Sequence, residues 1–340
     1  MIQSGNQAIL HGALEAGANY LSAYPITPSS DIIAEYVKQT AGDDQYDFLQ
    51  TEDEIAAIHS AIGASLAGRK SFTPTSGPGF SLMQEGLGLG FAYHIPLVLI
   101  NVQRQGPSTG MPTLFSQDTL LQTQYGTHGD HMALTFYPNS VQECFDVTIS
   151  AFNAACESSS PVMLLSDAYL ARMHENVKFA NQQLIAQFPF ERFGNGTRHF
   201  TGLTNDNGRP DTKNPETFKK WMKYLTGSII ETAKKYELYD YLPNSASETL
   251  IISFGSISRA INQWKNEFAL FRPVRIFPLL KQQLAEVEQE YKNIVVVEGN
   301  YGQYRDVVAA ALHREIKSVP VVGGEINPEE IYQQIKQAIN

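Results

Sequence analysis

The fold of this chain is constrained most by short apolar runs that alternate with helical patterns along most of its length. The clearest run, Pro96 to Val102, is continuous and rich in branched side chains, as expected of a strand buried on both faces. Similar runs occur at Ala18 to Tyr24 and at Ser71 to Thr75, and each precedes apolar residues at helical spacing. This alternation predicts an α/β protein with a doubly wound parallel sheet.

The alternation divides the 340 residues into three parts. Residues 1–180 form the first predicted α/β domain. From 181 to 246 the sequence is rich in Gln, Asn, Gly and Pro around one helical pattern, Pro215 to Tyr236, which predicts a linker or insertion. Residues 247–340 predict a second, smaller α/β domain, with a helix at Ser256 to Phe268 and a strand at Pro273 to Phe277.

Composition excludes several classes of function. A formal net charge of −10 leaves no basic excess to displace phosphate counterions, so we expect no nucleic-acid partner. The two cysteines, Cys144 and Cys156, fit neither a cluster site nor a disulfide framework. We find no signal peptide and no apolar run long enough to cross a bilayer, and we therefore expect a reducing cytoplasm and no membrane contact.

Several well-known catalytic motifs are missing from the sequence. It contains no Walker-type phosphate loop, no dinucleotide-binding glycine motif after a strand, no paired-histidine zinc motif and no serine-hydrolase elbow. His128, Asp130 and His131 could resemble metal ligands, but such a short group in a loop is more often a set of turn residues. We therefore expect no metal site on this chain.

Three features lie just after predicted strands, and α/β proteins bind ligands at the carboxyl ends of their strands. The turn Tyr24 to Ser30 follows a strand and leads to a helix that Asp31 is predicted to cap. Glu54 begins a helix of small residues and could stabilise the helix dipole, although Glu52 and Asp53 are better placed for that role. Arg104 follows the most buried strand and could form a surface ion pair or bind a substrate carboxylate bidentately.

Four motifs, in order, carry a resemblance to a known family: Tyr24–Ser30, Gln50–Glu54 with Gly63–Ser65, Thr75–Gly79 and Gln103–Thr113. Together they resemble the α subunit of 2-oxoacid:ferredoxin oxidoreductases, and the 2-oxoglutarate type in particular. Weaker similarity continues through Gly126–Asp130 and Glu298–Gln303, so the resemblance covers nearly the whole chain. It implies a thiamine-diphosphate pyrimidine-binding domain followed by a transketolase C-terminal-like domain.

The resemblance also implies a reaction and residue roles. Enzymes of this family convert a 2-oxoacid and coenzyme A into acyl-CoA, CO₂ and reduced ferredoxin. Glu54 matches the glutamate that hydrogen-bonds the aminopyrimidine of thiamine diphosphate. Thr27 matches the threonine that approaches the substrate and the reactive carbon of the cofactor, and Pro28 beside it is predicted to bind the cofactor. Arg104 matches the arginine that meets the substrate carboxylate, and Ser108 and Thr109 are predicted to shape the side-chain pocket.

A partner subunit is expected from what the resemblance leaves unmatched. The diphosphate and Mg²⁺ motif of the family and its cysteine cluster are absent from this sequence. The resemblance therefore implies a β subunit that carries Mg²⁺, the diphosphate site and an iron–sulfur cluster, with ferredoxin and optional γ and δ subunits as further partners. Without the β subunit, we expect this chain to be inactive.

Two departures from the family pattern bear on substrate identity more than on reaction type. His94 stands where an acidic residue is expected, and Leu114 to Asp118 departs from the expected glutamine followed by Gly-Asp or Ser-Asp. Two alternatives remain open: a regulatory subunit that keeps the fold without activity, and a subunit of a different thiamine enzyme, such as an acetolactate synthase or an E1-type dehydrogenase.

Overall fold

We analysed the protein as a computed structural model that describes residues 1–180, 183–189, 203 and 209–340. Part of the predicted linker, residues 181–182, 190–202 and 204–208, lies outside the described residues. The strands are β1 (Ile2–Ser4), β2 (Tyr20–Ala23), β3 (Asp47–Gln50), β4 (Ser71–Thr75), β5 (Leu97–Gln103), β6 (Leu134–Phe136), β7 (Pro161–Asp167), β8 (His174–Asn176), β9 (Tyr239–Leu242), β10 (Thr249–Ile252), β11 (Ala269–Pro273), β12 (Arg275–Phe277), β13 (Asn293–Glu298) and β14 (Lys317–Pro320).

The helices of the described residues alternate with these strands. They are α1 (Gly5–Glu15), α2 (Ser30–Thr40), α3 (Glu54–Leu66), α4 (Gly77–Leu82), α5 (Gln84–Ala92), α6 (Leu120–Tyr125), α7 (Val141–Ser158), α8 (Ala168–Arg172), α9 (Pro215–Lys235), α10 (Gly255–Ile261), α11 (Lys281–Glu288), α12 (Gln303–Leu312) and α13 (Pro328–Ile339).

The larger sheet has seven strands in the order β12-β6-β7-β5-β4-β2-β3, and only β12 runs antiparallel to its neighbour. This confirms the predicted α/β fold with a doubly wound parallel sheet. The strand order reverses between β2 and β4, since β3 lies on one side of β2 and β5 lies beyond β4. In such sheets ligands bind outside the carboxyl ends of the strands at the reversal. The topology therefore places a binding site where the turn after β2 faces the end of β4.

The smaller sheet has five strands in the order β14-β13-β10-β11-β9, and β9 at one edge is antiparallel to β11. A third sheet pairs β1 with β8. One apolar cluster joins the two large sheets, because Tyr137 and Leu165 of the first pack among the buried residues of the second. Helix α9 contributes Leu225 and Ile229 to the core of the first sheet, so this part of the predicted linker is packed.

Two helix predictions in the first half differ from the structure. Asp31 does not cap α2; Ser29 holds the cap position, two residues before the predicted one, and Asp31 lies in the first turn. The pattern from Ser81 to about Tyr93, after the glycine turn, predicts one helix, but the structure has two, α4 and α5, which meet at Met83. Helix α4 already begins at Gly77, inside the glycine turn, with Pro78 in its first turn.

Two predictions in the second half are also wrong. The helix expected at Ser256 to Phe268 ends at Ile261 and is followed by a short 3₁₀ turn. The strand expected at Pro273 to Phe277 is divided between the two sheets: β11 pairs in the smaller sheet, whereas β12 pairs with β6 in the larger one. The amides of Val274 and Arg275 both reach the carbonyl of Leu238 at 2.9 and 3.0 Å, which turns the chain from one sheet to the other. Among the described residues, no helix is both long enough and apolar enough to cross a bilayer.

Candidate active site

Glu54 is the first residue of α3, but it does not cap that helix. Asp53 accepts a hydrogen bond from the Ala56 amide at 2.7 Å, and the Thr51 hydroxyl holds the Asp53 carbonyl at 2.8 Å. With the cap position filled, the Glu54 side chain turns inward and is only 4% exposed. Asp53 therefore takes the helix-stabilising role that the position of Glu54 suggested, and the Glu54 carboxyl takes no part in capping α3.

The Glu54 carboxyl lies against the backbone of Gly79 in the turn after β4. A methyl group on Gly79 would overlap Oε1 of Glu54 and would lie 2.7 Å from the carboxyl carbon, so only glycine fits here. Burial raises the pKa of the Glu54 carboxyl above its usual value, and its own backbone amide and the charge of Arg104 oppose that rise. Within the described residues no other donor bonds this carboxyl, so it is well suited to accept one from a ligand.

Thr27 and Pro28 lie in the turn that follows β2, and the bond between them is cis. The side-chain amide of Asn6 donates to the Pro28 carbonyl at 2.8 Å, and the Ser29 hydroxyl donates to Ile26 at 2.9 Å. Pro28 is buried and Thr27 is half-buried. The turn is therefore fixed by its own chain before any ligand binds.

Arg104 follows β5 directly and joins this turn. Its Nη1 donates to the Thr27 carbonyl at 2.8 Å, and the side chain is 6% exposed. Its Nε lies over Gly77 and has no partner in the described part of the chain. Burial lowers the pKa of the Arg104 guanidinium, and the Glu54 charge opposes that change. The structure thus brings Thr27, Glu54 and Arg104 together at the reversal of the sheet.

A cavity of about 540 Å³ opens beside Arg104. Its walls come from the turn after β4, the loop after β5, helix α6 and the segment after β13; they include Gly77, Ser81, Arg104, Ser108, Asp118 and Tyr301. Ser108 adopts a positive φ of 54° at its edge. Thr109 is exposed and lies outside this lining, so its role in the pocket stays a prediction.

Sequence reasoning gave no role to two buried hydroxyls at the carboxyl end of β4. Thr75 Oγ1 and Ser76 Oγ are buried without a partner among the described residues. A methyl group on Gly79 would also overlap Thr75 Oγ1, so this hydroxyl lies beside the Glu54 carboxyl. Unpaired buried polar atoms are rare in native folds and mark places where a ligand supplies the partner. The Glu54 carboxyl and the Thr75 hydroxyl therefore offer neighbouring polar atoms to a ligand.

The two departures from the family pattern differ in their distance from this cavity: His94 lies far from it, whereas the segment Leu114 to Asp118 reaches it, since Asp118 is part of the lining. His94 precedes β5, whose seven residues put about 20 Å between it and Arg104. It packs edge-on against Tyr224 with ring centroids 5.0 Å apart. Phe115 is 2% exposed within the core of the smaller sheet, and a methyl group on Gly299 would lie 2.6 Å from its ring. Both positions therefore serve packing between elements.

The group considered as metal ligands has another explanation. His131 packs on the ring of Phe91 with centroids 4.7 Å apart, and burial lowers its pKa. Cys144 and Cys156 are buried and free. In the described ranges, no cluster of three or more His, Cys, Asp or Glu side chains is arranged to hold a metal ion.

Comparisons with known proteins agree with the family resemblance of the four motifs. A family model described as pyruvate flavodoxin/ferredoxin oxidoreductase, thiamine diphosphate-binding, matches residues 11–235. The 2-oxoglutarate synthase subunit KorA of Methanothermobacter marburgensis is 36% identical, over 97% of this chain and 97% of the relative.

Two solved structures resemble the fold. A 2-oxoglutarate:ferredoxin oxidoreductase from Magnetococcus marinus, with 2-oxoglutarate, coenzyme A and succinyl-CoA bound, superposes with a TM-score of 0.88 at 28% identity. It covers 100% of this chain, which spans 65% of that solved chain. A split-gene transketolase, an inactive β4 tetramer, superposes with a TM-score of 0.60 at 11% identity, over 98% of this chain and 96% of its own, and shows a likeness of fold alone.

Proposed function

This chain belongs to the pyruvate flavodoxin/ferredoxin oxidoreductase family with a thiamine-diphosphate-binding domain, and we propose that it is the α subunit of a 2-oxoglutarate:ferredoxin oxidoreductase. The complex would convert 2-oxoglutarate and coenzyme A into succinyl-CoA and CO₂ and pass two electrons to ferredoxin. The observation that carries the proposal is the meeting of Thr27, Glu54 and Arg104 at the reversal of the larger sheet. A near full-length relative named for 2-oxoglutarate supports the choice of oxoacid.

Glu54 is assigned to the pyrimidine ring of the cofactor. When bound, thiamine diphosphate supplies the carbon nucleophile that attacks the keto group and takes up the electron pair left by CO₂. The role of Glu54 is to share a proton with the ring nitrogen at its carboxyl oxygen. Burial favours this, since a carboxyl with a raised pKa holds a proton more readily and interacts more strongly in a dry site. The Thr75 hydroxyl lies beside the Glu54 carboxyl, and we assign it as a further partner of the ring.

Arg104 is assigned to the carboxylate next to the keto group. Its Nη1 is already committed to the Thr27 carbonyl, which leaves the Nε and Nη2 edge for a bidentate pair. Thr27 is held by the same contact, so the residue beside the reactive carbon and the residue that binds the carboxylate move together. This geometry orients the bond that breaks as CO₂ leaves.

The second carboxylate of 2-oxoglutarate meets a different environment. Among the described residues that line the cavity, Arg104 is the one cation and Asp118 the one acid. The remaining polar lining is neutral and includes Ser81, Ser108 and Gln122. This chain therefore supplies hydroxyl and amide donors for the second carboxylate, and we assign any balancing cation to the partner subunit.

A partner subunit is also supported by the surface around the site. Four large apolar side chains on β3, on the turn after β2 and on α3 and α4 are exposed by 39 to 48%: Tyr24, Leu49, Ile55 and Leu82. Apolar groups gathered in this way mark interfaces more often than free surface. We assign the diphosphate site, Mg²⁺ and an iron–sulfur cluster to a β subunit on this face, with ferredoxin and optional γ and δ subunits as further partners.

The test is to purify this chain alone and in complex with the candidate β subunit, and to assay both with a panel of 2-oxoacids. We expect viologen or ferredoxin reduction only by the complex, only with coenzyme A, and fastest with 2-oxoglutarate. Iron and sulfide should be present in the complex. An assembled complex that turns over no oxoacid would support a regulatory subunit instead, and a preference for another oxoacid would correct the substrate.

A further inference from the structure

We propose that Asp118 is a positioning residue that holds Arg104 in place by anchoring the main chain two residues beyond it. The inference rests on the proposed function, in which Arg104 binds the oxoacid carboxylate. Asp118 itself touches neither Glu54 nor the Arg104 guanidinium in the described contacts, so it acts through the backbone of the loop.

The anchor is a single hydrogen bond between two segments that are distant along the chain. Asp118 Oδ2 accepts the amide proton of Gly106 at 2.9 Å. The main-chain carbonyl of Asp118 accepts the side-chain amide of Gln303 at 2.7 Å, and this ties it to the end of the smaller sheet. Through these two hydrogen bonds, Asp118 connects the loop after Arg104 to the second half of the molecule.

The loop needs such a fastening because the rest of it is exposed. Residues 107–111 are all exposed, and the chain passes through a cis bond at Pro107 and positive φ values at Ser108 and Gly110. The other bonds at its base run from the Met111 amide to Gln105 at 2.8 Å and from the Gln105 amide to Leu114 at 3.2 Å. Without Asp118 the Gly106 amide is unpaired, and the backbone that follows Arg104 is held on one side only.

The acceptor oxygen of Asp118, not its charge, is the part that matters. The charge that acts on Arg104 comes from Glu54. Burial raises the pKa of Asp118, whereas the bonds from Gly106 and Ser116 oppose that rise. Asparagine keeps an acceptor oxygen at the same place, so Asp118→Asn should serve as well as the native residue, whereas Asp118→Ala should not.

The effect should appear in KM. The carboxylate carries its full charge in the bound substrate and loses it as CO₂ forms, so Arg104 stabilises the ground state at least as much as the transition state. In the complex with the β subunit, we expect Asp118→Ala to raise KM for 2-oxoglutarate about tenfold with kcat nearly unchanged, because one buried hydrogen bond is lost. Gly106→Ala should act in the same way, because its methyl would lie 3.0 Å from Asp118 Oδ2.

Asp306→Ala is the matched control. This carboxylate lies near the same junction, is 65% exposed and pairs with Arg305 instead of the loop, so KM should not change. Asp118→Asn should restore KM to within about twofold of the native value. The proposal is overturned if Asp118→Ala and Gly106→Ala leave KM unchanged, or if Asp118→Asn is as damaging as Asp118→Ala.

Hydrogen exchange separates this inference from the proposed function. Amides of residues 105–113 should exchange faster in Asp118→Ala than in the native protein or in Asp118→Asn, whether or not the complex turns over any oxoacid. Should Asp118→Ala fail to assemble, Gly106→Ala decides the matter by the same two measurements. Equal exchange in all variants would refute the anchor even if 2-oxoglutarate proves to be the substrate.

Discussion

Replacing Glu54 by glutamine should separate the chemistry of this site from its architecture. The change keeps the size of a side chain that is 4% exposed and removes only its ability to hold a proton or a charge. A positioned acid or base contributes about 10² to 10⁴-fold to a rate. At about 1.4 kcal/mol for each tenfold, Glu54→Gln should raise the barrier by about 2.7 to 5.5 kcal/mol.

The same substitution should not destabilise the fold. Because burial raises the pKa of Glu54, the ionised form is less favourable in the folded protein than in the unfolded chain. This penalty is absent below the unfolded pKa, grows as the pH rises from the unfolded to the folded pKa, and is complete above the folded pKa. A neutral glutamine carries no such penalty. At pH 8, where glutamate is ionised, the melting temperature of Glu54→Gln should equal or exceed that of the native chain.

The assay is viologen reduction by the assembled complex under saturating 2-oxoglutarate and coenzyme A, with melting followed in parallel. Glu52→Gln is the matched control, because Glu52 is exposed two residues away and should leave both quantities unchanged. A Glu54→Gln complex that keeps more than about a tenth of native activity would refute the catalytic role, since even the lower bound is a hundredfold loss. A large fall in melting temperature would show instead that the carboxyl is structural.

Three further substitutions follow from the contacts. Gly79→Ala should lower kcat at least about a hundredfold in the same assay, because its methyl would displace the Glu54 carboxyl. Arg104→Lys should raise KM for the oxoacid about 10 to 100-fold in steady-state kinetics, since lysine cannot hold a carboxylate and the Thr27 carbonyl in a fixed fork. Burial raises the pKa of Glu298 from 4.5 to about 7, so the free energy of unfolding should fall by about 3 kcal/mol as the pH rises from 4.5 through 7. Glu298→Gln should reduce this dependence on pH, as measured by urea unfolding at pH 5 and pH 8.

The parallel sheet could be predicted from sequence because its strands carry a local signal. Strand Ser71–Thr75 was predicted to the residue, because the glycine turn Ser76 to Gly79 marks its end in the sequence. The path from β11 to β12 could not be predicted, because one continuous apolar run supplies both sheets. The switch depends on bonds to Leu238, which is distant in sequence and leaves no local pattern.

The site was only partly visible in the sequence. Position at strand ends singled out Glu54 and Arg104, but dipole stabilisation and surface pairing explained them equally well until their burial and their partners were known. The resemblance supplied the roles, and the structure supplies the meeting of the residues. Thr75 lies within one of the four motifs, yet only its lack of a hydrogen-bond partner among the described residues indicates that it belongs to the site. Such a lack can be recognised in the three-dimensional structure but not in the sequence.

The smaller sheet supports the substrate side of the site as well as packing beside it. Gln117 is fully buried and makes four hydrogen bonds across the junction, to Phe254, to Asn300 and twice to Gly299, at 2.8 to 3.0 Å. It lies next to Asp118, whose carboxylate holds the loop after Arg104. A shift of the smaller sheet would therefore move Arg104 through Gln117 and Asp118, whereas Glu54 is held by elements of the larger sheet alone. Arg104, which we assign to the oxoacid, therefore depends on both sheets, whereas Glu54, which we assign to the pyrimidine, depends on one, so changes at the junction should alter substrate binding before they alter cofactor activation.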